Sequence, residues 1–208
     1  MPPAKLKASY IRHRGLVRRD IEVHSQWPKT FGLIRKDRPG WFVFLYLFLT
    51  VHGFPAVTLF RLQSMMYEAG LAPLATFVSR VNSFLFGVTI GNEVRSNGAL
   101  LISHGNVVLD GWTTLGDDVE INPFVTLGIS NSSSKPFELW GPTIGNNVNI
   151  GTGAKIIGKV TIGDDVRIGA NAVVLDDVPA GSTAVGAPAR HFPRKPGPGD
   201  LPWEPPQE

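Results

Sequence analysis

Histidine is the side chain in this sequence best suited to acid–base chemistry, because a neutral imidazole takes up a proton near neutral pH. The 208 residues include no cysteine, which excludes disulfides, thiolate metal sites and an acyl-cysteine intermediate. Two of the five histidines, His13 and His24, lie in a basic segment, where we expect them to be exposed or structural. His52 lies in an apolar run and is expected to be buried. His191 follows the last repeat unit, and a cofactor role is the weaker of its two interpretations.

His104 differs from the other histidines because it lies between two predicted strands. The strands are Leu100–Ile102 and Val107–Leu109, and Gly105 directly follows the histidine. His104 also lies where a regular six-residue pattern of aliphatic residues is interrupted. A repeated sequence loses its regularity most readily at positions that function constrains. His104 is therefore predicted to act as a general base that accepts the proton of a hydroxyl group. A structural histidine at a corner of the fold is the alternative.

The regular pattern is a six-residue period that runs from Leu115 to Val174. Each unit begins with an aliphatic residue, usually followed by glycine. A helix would repeat its apolar residues every three to four positions and an ordinary strand every two, so this period fits neither. It is typical of a solenoid of short strands whose aliphatic residues fill the interior. The Gly, Asn and Asp residues between the strands suit tight corners.

These units resemble the hexapeptide repeat of the left-handed parallel β-helix acyltransferases. Between about Leu59 and Arg190, the sequence is most similar to serine acetyltransferases and related exopolysaccharide O-acetyltransferases. The resemblance implies a mainly β fold, a left-handed parallel β-helix of about five coils preceded by a short α-helical segment. The motifs that carry it are Val88-Thr89-Ile90, Ile102-Ser103-His104-Gly105, Gly116-Asp117-Asp118-Val119, Val125-Thr126-Leu127-Gly128, Ile150-Gly151-Thr152-Gly153-Ala154-Lys155-Ile156 and Ala184-Val185-Gly186-Ala187-Pro188-Ala189-Arg190.

The resemblance also implies a reaction, acetyl-CoA-dependent O-acetylation, in which His104 aligns with the family's catalytic histidine. The acceptor hydroxyl would attack the thioester directly, since the chain has no cysteine and no convincing serine nucleophile. A backbone N–H at a glycine-rich corner would stabilise the oxyanion, and Gly128 is our assignment for it. No metal ion is expected to take part.

The family binds the pantetheine arm of its cofactor in a groove between neighbouring subunits of a trimer. The residue-level match implicates Gly151, Thr152 and Ala170 in binding acetyl-CoA, in addition to Gly128. Arg190 is expected to contact the CoA phosphates. The resemblance therefore predicts a homotrimer with acetyl-CoA and a hydroxyl acceptor as its small-molecule partners.

Three positions depart from the serine acetyltransferase pattern. Thr89 and Ser103 replace two aspartates, of which the first orients the catalytic histidine and the second helps to hold the amino acid. Gly141 replaces a histidine that precedes the resumed repeat. These departures favour a sugar, a polysaccharide or another non-serine hydroxyl as acceptor. A true serine O-acetyltransferase of cysteine biosynthesis and a non-catalytic β-helix scaffold are the alternatives.

Because Thr89 stands at the position of the orienting aspartate, another group must orient His104. Glu93, Asp110 or a backbone carbonyl could replace it, and the sequence does not choose among them. Zinc catalysis of the γ-carbonic anhydrase type is not expected, because it needs three histidines on adjacent coils and only His104 lies within the repeats. A basic stripe interleaved with aromatic residues is also missing from the repeats, so nucleic-acid binding is not expected.

Four segments make up the predicted domain organisation. Residues 1–38 form a basic arm, with ten Lys and Arg against three acidic residues, expected to be loosely ordered with some helix. Residues 39–86 form an apolar α-helical segment. Residues 87–190 form the β-helix domain, with an extruded loop at 129–142, and residues 191–208 form a proline-rich tail that is expected to be disordered.

The run from Trp41 to Phe60 carries no charge and meets the length of a membrane-spanning helix. His52-Gly53 and Pro55 interrupt it, which favours two shorter helices. Three interpretations stay open: a membrane span, contact with a membrane surface through this run and the basic arm, and packing in a subunit interface. The expected location is the cytoplasm, with association with the inner face of the membrane as an option.

Overall fold

The computed structural model describes residues 3–26, 32, 34, 38–130 and 139–194. Within these residues, four helices precede a series of short strands. The helices are α1 (Pro3–His24), α2 (Gly40–Thr50), α3 (Gly53–Glu68) and α4 (Ala72–Phe86). The strands are β1 (Val88–Ile90), β2 (Arg95–Ser96), β3 (Leu100–Ile102), β4 (Val107–Leu109), β5 (Thr114–Leu115), β6 (Val119–Ile121), β7 (Thr126–Gly128), β8 (Thr143–Ile144), β9 (Asn149–Ile150), β10 (Lys155–Ile157), β11 (Thr161–Ile162), β12 (Arg167–Ile168), β13 (Val173–Val174), β14 (Ser182–Val185) and β15 (Arg190–Pro193).

The strands wind into a parallel β-helix whose three faces are three sheets. Sheet A has the order β1-β4-β7-β10-β13, sheet B the order β2-β5-β8-β11, and sheet C the order β3-β6-β9-β12-β14-β15. Every neighbouring pair is parallel except β14 and β15. The predicted fold class, a β-helix of about five coils after a helical segment, is confirmed.

The six-residue period is explained by the way the coils stack. Ile102, Ile121, Ile150 and Ile168 are register partners in successive coils, and all four are buried. Each sheet contributes such a column, because the chain turns one corner in every six residues. Burying these columns is the main stabilising contribution that the coils make to one another.

Over residues 3–24, the basic N-terminal segment is not the loosely ordered arm that we expected, and most of residues 27–37 lie outside the described part of the chain. Residues Pro3–His24 form one helix that packs on α3 and on β3. Its Asp20 carboxylate accepts two hydrogen bonds from the Arg61 guanidinium, at 2.8 and 2.9 Å, and a third from the Leu100 N–H at 3.0 Å. Both charged side chains are about 2% exposed. This buried ion pair fixes α1 to the first coil, and the excess of Lys and Arg in the sequence did not indicate it.

The C-terminal tail is ordered at its start. Strand β15 pairs with β14, so residues 190–193 belong to sheet C. The disorder expected for the rest of the tail concerns residues 195–208, which lie outside the described residues. Residues 131–138 at the centre of the expected extruded loop also lie outside them, while 129–130 and 139–142 connect β7 to β8.

The apolar run forms two helices, as the His52-Gly53 and Pro55 interruptions indicated. In the part of the chain that the structure describes, no single helix is long and apolar enough to cross a membrane. Helices α2 and α3 meet that length and composition only as a pair bent by 111°. Trp41 and Leu49 of α2 are 70% and 74% exposed. Contact of this face with a membrane surface or another subunit stays a prediction.

Stability is expected to depend on pH through the buried His24. Its Nδ1 lies 2.8 Å from the Asp20 carbonyl oxygen, and its ring packs on Phe54. Burial lowers the pKa of His24 below its ordinary value, more than the Asp20 contacts raise it. The unfolded chain therefore takes up a proton that the folded chain rejects, so stability is complete above about pH 6.5 and falls as the pH drops below it.

Urea unfolding between pH 7.5 and 5 measures this effect. His24→Leu should reduce the acid-induced loss in the free energy of unfolding by up to about 1.4 kcal/mol per pH unit. His191→Leu, which replaces an exposed histidine, should keep the wild-type dependence. Identical pH profiles for His24→Leu and the wild type would contradict the assignment.

Candidate active site

His104 lies in the first coil, at the corner where sheet C gives way to sheet A. It follows the last residue of β3 by two positions, and its side chain is exposed. Among the described residues, its imidazole makes no hydrogen bond. Its ring contacts the His52 ring, with centroids 5.8 Å apart and planes inclined by 27°. Both nitrogens of His104 are therefore available to a substrate.

Glycines allow the helices to pack directly against this corner. A Cβ atom on Gly105 would lie 2.1 Å from the carbonyl oxygen of Phe86, at the end of α4. A Cβ atom on Gly53 would lie 1.4 Å from the carbonyl oxygen of Ile102. Because neither position has space for a side chain, the ends of α3 and α4 enclose the His104 corner and fix its backbone.

Four of the five predicted cofactor residues lie on the same edge of the β-helix as His104. We call the line of corners between sheets C and A the C–A edge, formed by residues 103–106, 122–125, 151–154 and 169–172 in successive coils. The register of sheet C stacks Thr152 and Ala170 above His104, and both are exposed. Coils stack about 4.8 Å apart, so these residues lie about 10 and 14 Å from His104 along the edge.

Gly151 also belongs to the C–A edge, and Arg190 lies at the end of this edge, beside the last residue of β14. A Cβ atom on Gly151 would lie 2.7 Å from the Ala170 nitrogen, so only glycine lets the two coils approach this closely. Arg190 pairs with Val185 at the last coil, and its side chain is exposed. The family resemblance alone implied that these residues share one site, and the strand register brings them to the same side of the β-helix as His104.

Gly128 does not join this group within one chain. It ends β7, where sheet A gives way to sheet B, and so lies at a different edge from His104. A Cβ atom on Gly128 would meet Ile157 and Thr126 at 3.6 and 3.8 Å, which is ordinary contact. Among the described residues of the subunit, no neighbour therefore requires glycine at this position.

The carboxylates considered as replacements for the missing aspartate do not contact His104. Glu93 accepts a hydrogen bond from the Tyr67 hydroxyl, and Asp110 accepts one from the Gly111 N–H at 2.8 Å. Thr89, at the position of the family's orienting aspartate, shares a hydrogen bond with Ser83 at 2.8 Å. Within the described residues, the only side-chain ring against His104 is that of His52.

His52 is the residue that sequence reasoning missed. We expected a buried structural histidine, because its neighbours in sequence are apolar, but the structure shows it exposed at the bend between α2 and α3. The His52-Gly53 helix break was the signal in the sequence that could have indicated this.

Gly141, at the position of the family's loop histidine, lies where no side chain fits. A Cβ atom there would lie 2.4 Å from the Thr113 hydroxyl oxygen and 2.9 Å from the Asp110 carbonyl oxygen. The neighbouring Trp140 packs edge-to-face on Trp112, with ring centroids 4.8 Å apart. The absence of a histidine at this position is therefore built into the backbone packing at the base of the loop.

Comparison with known proteins identifies the family. Residues 141–176 match the model of the bacterial transferase hexapeptide (six repeats). A serine acetyltransferase of Helicobacter pylori is 42% identical over 139 residues, which cover 66% of this chain and 80% of that protein. A Neisseria gonorrhoeae serine acetyltransferase solved in complex with serine has a TM-score of 0.71 at 30% identity, covering 90% of this chain and 72% of the other.

A Brucella abortus serine acetyltransferase solved in complex with coenzyme A has a TM-score of 0.75 at 28% identity, covering 92% of this chain and 72% of the other. These similarities extend beyond the repeats into the helical segment, since they cover more of the chain than residues 87–190 alone. The chain therefore belongs to the hexapeptide-repeat acyltransferases and is an acetyltransferase of the serine acetyltransferase type.

Proposed function

We propose that this enzyme is a serine O-acetyltransferase that moves the acetyl group of acetyl-CoA directly to the serine hydroxyl. The observation that carries the proposal is the unpaired His104 imidazole on the same edge as Gly151, Thr152, Ala170 and Arg190. Relatives named serine acetyltransferases, one of them solved with serine, support serine over the sugar acceptor that the sequence departures favoured. The structural neighbour that binds coenzyme A supports acetyl-CoA as the donor.

The proposed reaction has one general base. Neutral His104 accepts the proton of the serine hydroxyl while the hydroxyl oxygen attacks the thioester carbonyl carbon. The tetrahedral intermediate then collapses, the C–S bond breaks, and the imidazolium returns its proton to the departing CoA sulfur. No acetyl-enzyme forms, because donor and acceptor react within one ternary complex.

In this proposal the donor lies extended along the C–A edge. From His104 to the last coil, the edge rises by about 19 Å at about 4.8 Å per coil. The acetyl group would lie at His104, the pantetheine arm along Thr152 and Ala170, and the phosphates at Arg190. Gly128, on another edge, would reach the same ligand only from a neighbouring subunit, which is consistent with the proposed homotrimer.

Arg190→Ala is expected to raise the KM for acetyl-CoA by about 10- to 100-fold with little change in kcat. This is the range for losing a charge-assisted hydrogen bond to phosphate. Initial rates at saturating serine measure the effect. His191→Ala, the adjacent exposed residue of β15, is the matched control and should leave the KM for acetyl-CoA unchanged. An unchanged KM in Arg190→Ala would place the phosphates elsewhere.

The acceptor is tested by measuring CoA release with a thiol reagent across amino acids and sugars. The enzyme itself contributes no background thiol, because it has no cysteine. We expect serine to support release, and mass spectrometry to detect O-acetylserine in equal amount. Release with sugars but not with serine would contradict the serine proposal. If no acceptor supports release and CoA binds poorly, the scaffold alternative is correct.

A sugar hydroxyl is the second candidate acceptor, and one observation favours it. Beside Gly141, a cleft of about 420 Å³ is lined by Trp112 and Trp140 together with polar residues of sheet B. Aromatic rings beside hydrogen-bonding groups suit a sugar, which has both apolar faces and hydroxyls. However, Lys159 lies 4.4 Å from the Trp140 ring centroid and covers part of it. We therefore favour the His104 corner over this cleft as the place where the acceptor binds.

A further inference from the structure

Resting on the proposed function, we propose that His52 is a second active-site histidine, which binds the carboxylate of the serine acceptor while His104 takes the hydroxyl proton. His52 belongs to neither the repeats nor the motifs that carry the family resemblance. It reaches the site because helix α3 begins directly against the first coil.

The packing of α3 holds His52 in place. Gly53 lies directly against the Ile102 carbonyl, two residues before His104. Further along α3, the Ala56 carbonyl accepts a hydrogen bond from the Asn82 amide at 3.0 Å, and Arg61 forms the buried ion pair with Asp20. With α3 fixed at its start and along its length, His52 has a defined position relative to His104.

The arrangement of the two rings suits a small acceptor with two polar groups. Their centroids are 5.8 Å apart and their planes are inclined by only 27°. Both side chains are exposed, and within the described residues neither imidazole makes a hydrogen bond. In serine, the hydroxyl carbon is bonded directly to the carbon that bears the carboxylate. A hydroxyl held by His104 therefore brings the carboxylate towards His52.

The charge requirement of serine also points to His52. A carboxylate needs a hydrogen-bond donor, which imidazole supplies in either protonation state. The loop position where the family has a histidine is Gly141, and the backbone there leaves no space for a side chain. His52 provides an imidazole from the helical segment instead. Its place at the N-terminal end of α3 adds to its preference for an anion over the serine ammonium.

The test compares His52→Ala, His52→Gln and the wild type with two acceptors, serine and serinamide. Serinamide keeps the hydroxyl and the ammonium but lacks the carboxylate. For His52→Ala we expect the KM for serine to rise by about 10- to 100-fold, with little change in kcat or in the KM for acetyl-CoA. His52→Gln, which keeps an N–H donor, should recover part of the loss. With serinamide, His52→Ala and the wild type should have the same KM.

Thr50→Ala is the matched control, because it removes an exposed side chain two residues before His52 and should match the wild type. Unchanged kinetics of His52→Ala with serine would overturn the proposal. An equal rise in KM for serine and serinamide, or a loss of kcat alone, would also overturn it, because His52 would then position His104 and not bind the carboxylate. If the wild type acetylates sugars but not serine, the proposed function itself has failed and this inference fails with it.

Discussion

Replacing His104 with alanine is expected to lower kcat/KM for acetyl transfer by about 10²- to 10⁴-fold, the range typical of removing a general base. The loss should fall mainly on kcat, since the imidazole acts as the hydroxyl proton leaves and contributes less to ground-state binding. Measuring CoA release at saturating acetyl-CoA and serine tests this. The fold should survive, because the side chain is exposed and makes no hydrogen bond with any residue that the structure describes.

Two comparisons make the His104 result specific. Thermal unfolding of His104→Ala should match that of the wild type, which separates a chemical effect from misfolding. His104→Gln should be as inactive as the alanine variant, because an amide fills similar space but cannot accept the proton as a base. A His104→Ala enzyme that retains more than about one tenth of wild-type kcat would exclude general-base catalysis by this residue.

Replacing Asp20 with alanine is expected to lower the free energy of unfolding by about 3–5 kcal/mol. The substitution leaves the Arg61 guanidinium buried without its counter-charge and removes the acceptor of the Leu100 N–H. Because Leu100 begins the strand that leads to His104, the His104 corner should loosen as well. Urea unfolding followed by circular dichroism measures the loss.

A neighbouring pair provides the control for Asp20. Arg19 forms an ion pair with Asp117 at 2.7 Å, but both side chains are more than one third exposed. Exposed pairs contribute about 0–1 kcal/mol, so Arg19→Ala should unfold almost like the wild type. Asp20→Leu combined with Arg61→Met should be more stable than Asp20→Ala, because no charge stays buried. A loss below about 1 kcal/mol in Asp20→Ala would mean that the pair does not anchor α1.

The coils could be predicted from the sequence because their interactions repeat at short range. Two inward apolar residues in every six set the register, and corners with positive φ at Asp118, Asn147 and Asp165 use residues that tolerate this conformation. The same regularity made His104 a candidate, because the corner that carries it breaks the pattern. Local patterns of this kind need no knowledge of distant contacts.

The parts that could not be predicted depend on contacts between distant residues. The pairing of Asp20 with Arg61 spans 41 positions, and the sequence around Asp20 resembles an ordinary solvated helix. The contact of His52 with His104 depends on how α3 packs against β3. The six-residue period of the sequence does not indicate this packing. For the same reason, the exclusion of a side chain at Gly141 became evident only from the backbone around it.

The donor side and the acceptor side of the enzyme differ in how closely they resemble the family. The C–A edge, proposed to bind the donor, carries Gly151, Thr152 and Ala170, which the family resemblance implicates in donor binding. The acceptor side differs at Thr89, Ser103 and Gly141. His52 offers one replacement for the lost polar groups, from a helical segment that the repeats do not specify.

The most direct test of serine O-acetylation by direct transfer is a competition with labelled donor. The wild-type enzyme is incubated near pH 7 with ¹³C-acetyl-CoA and equal concentrations of serine and a sugar, and the labelled products are identified by NMR and mass spectrometry. The label is expected on the serine oxygen, with one CoA released for each O-acetylserine formed and no label on the protein. Label on the sugar or on the enzyme would contradict the account.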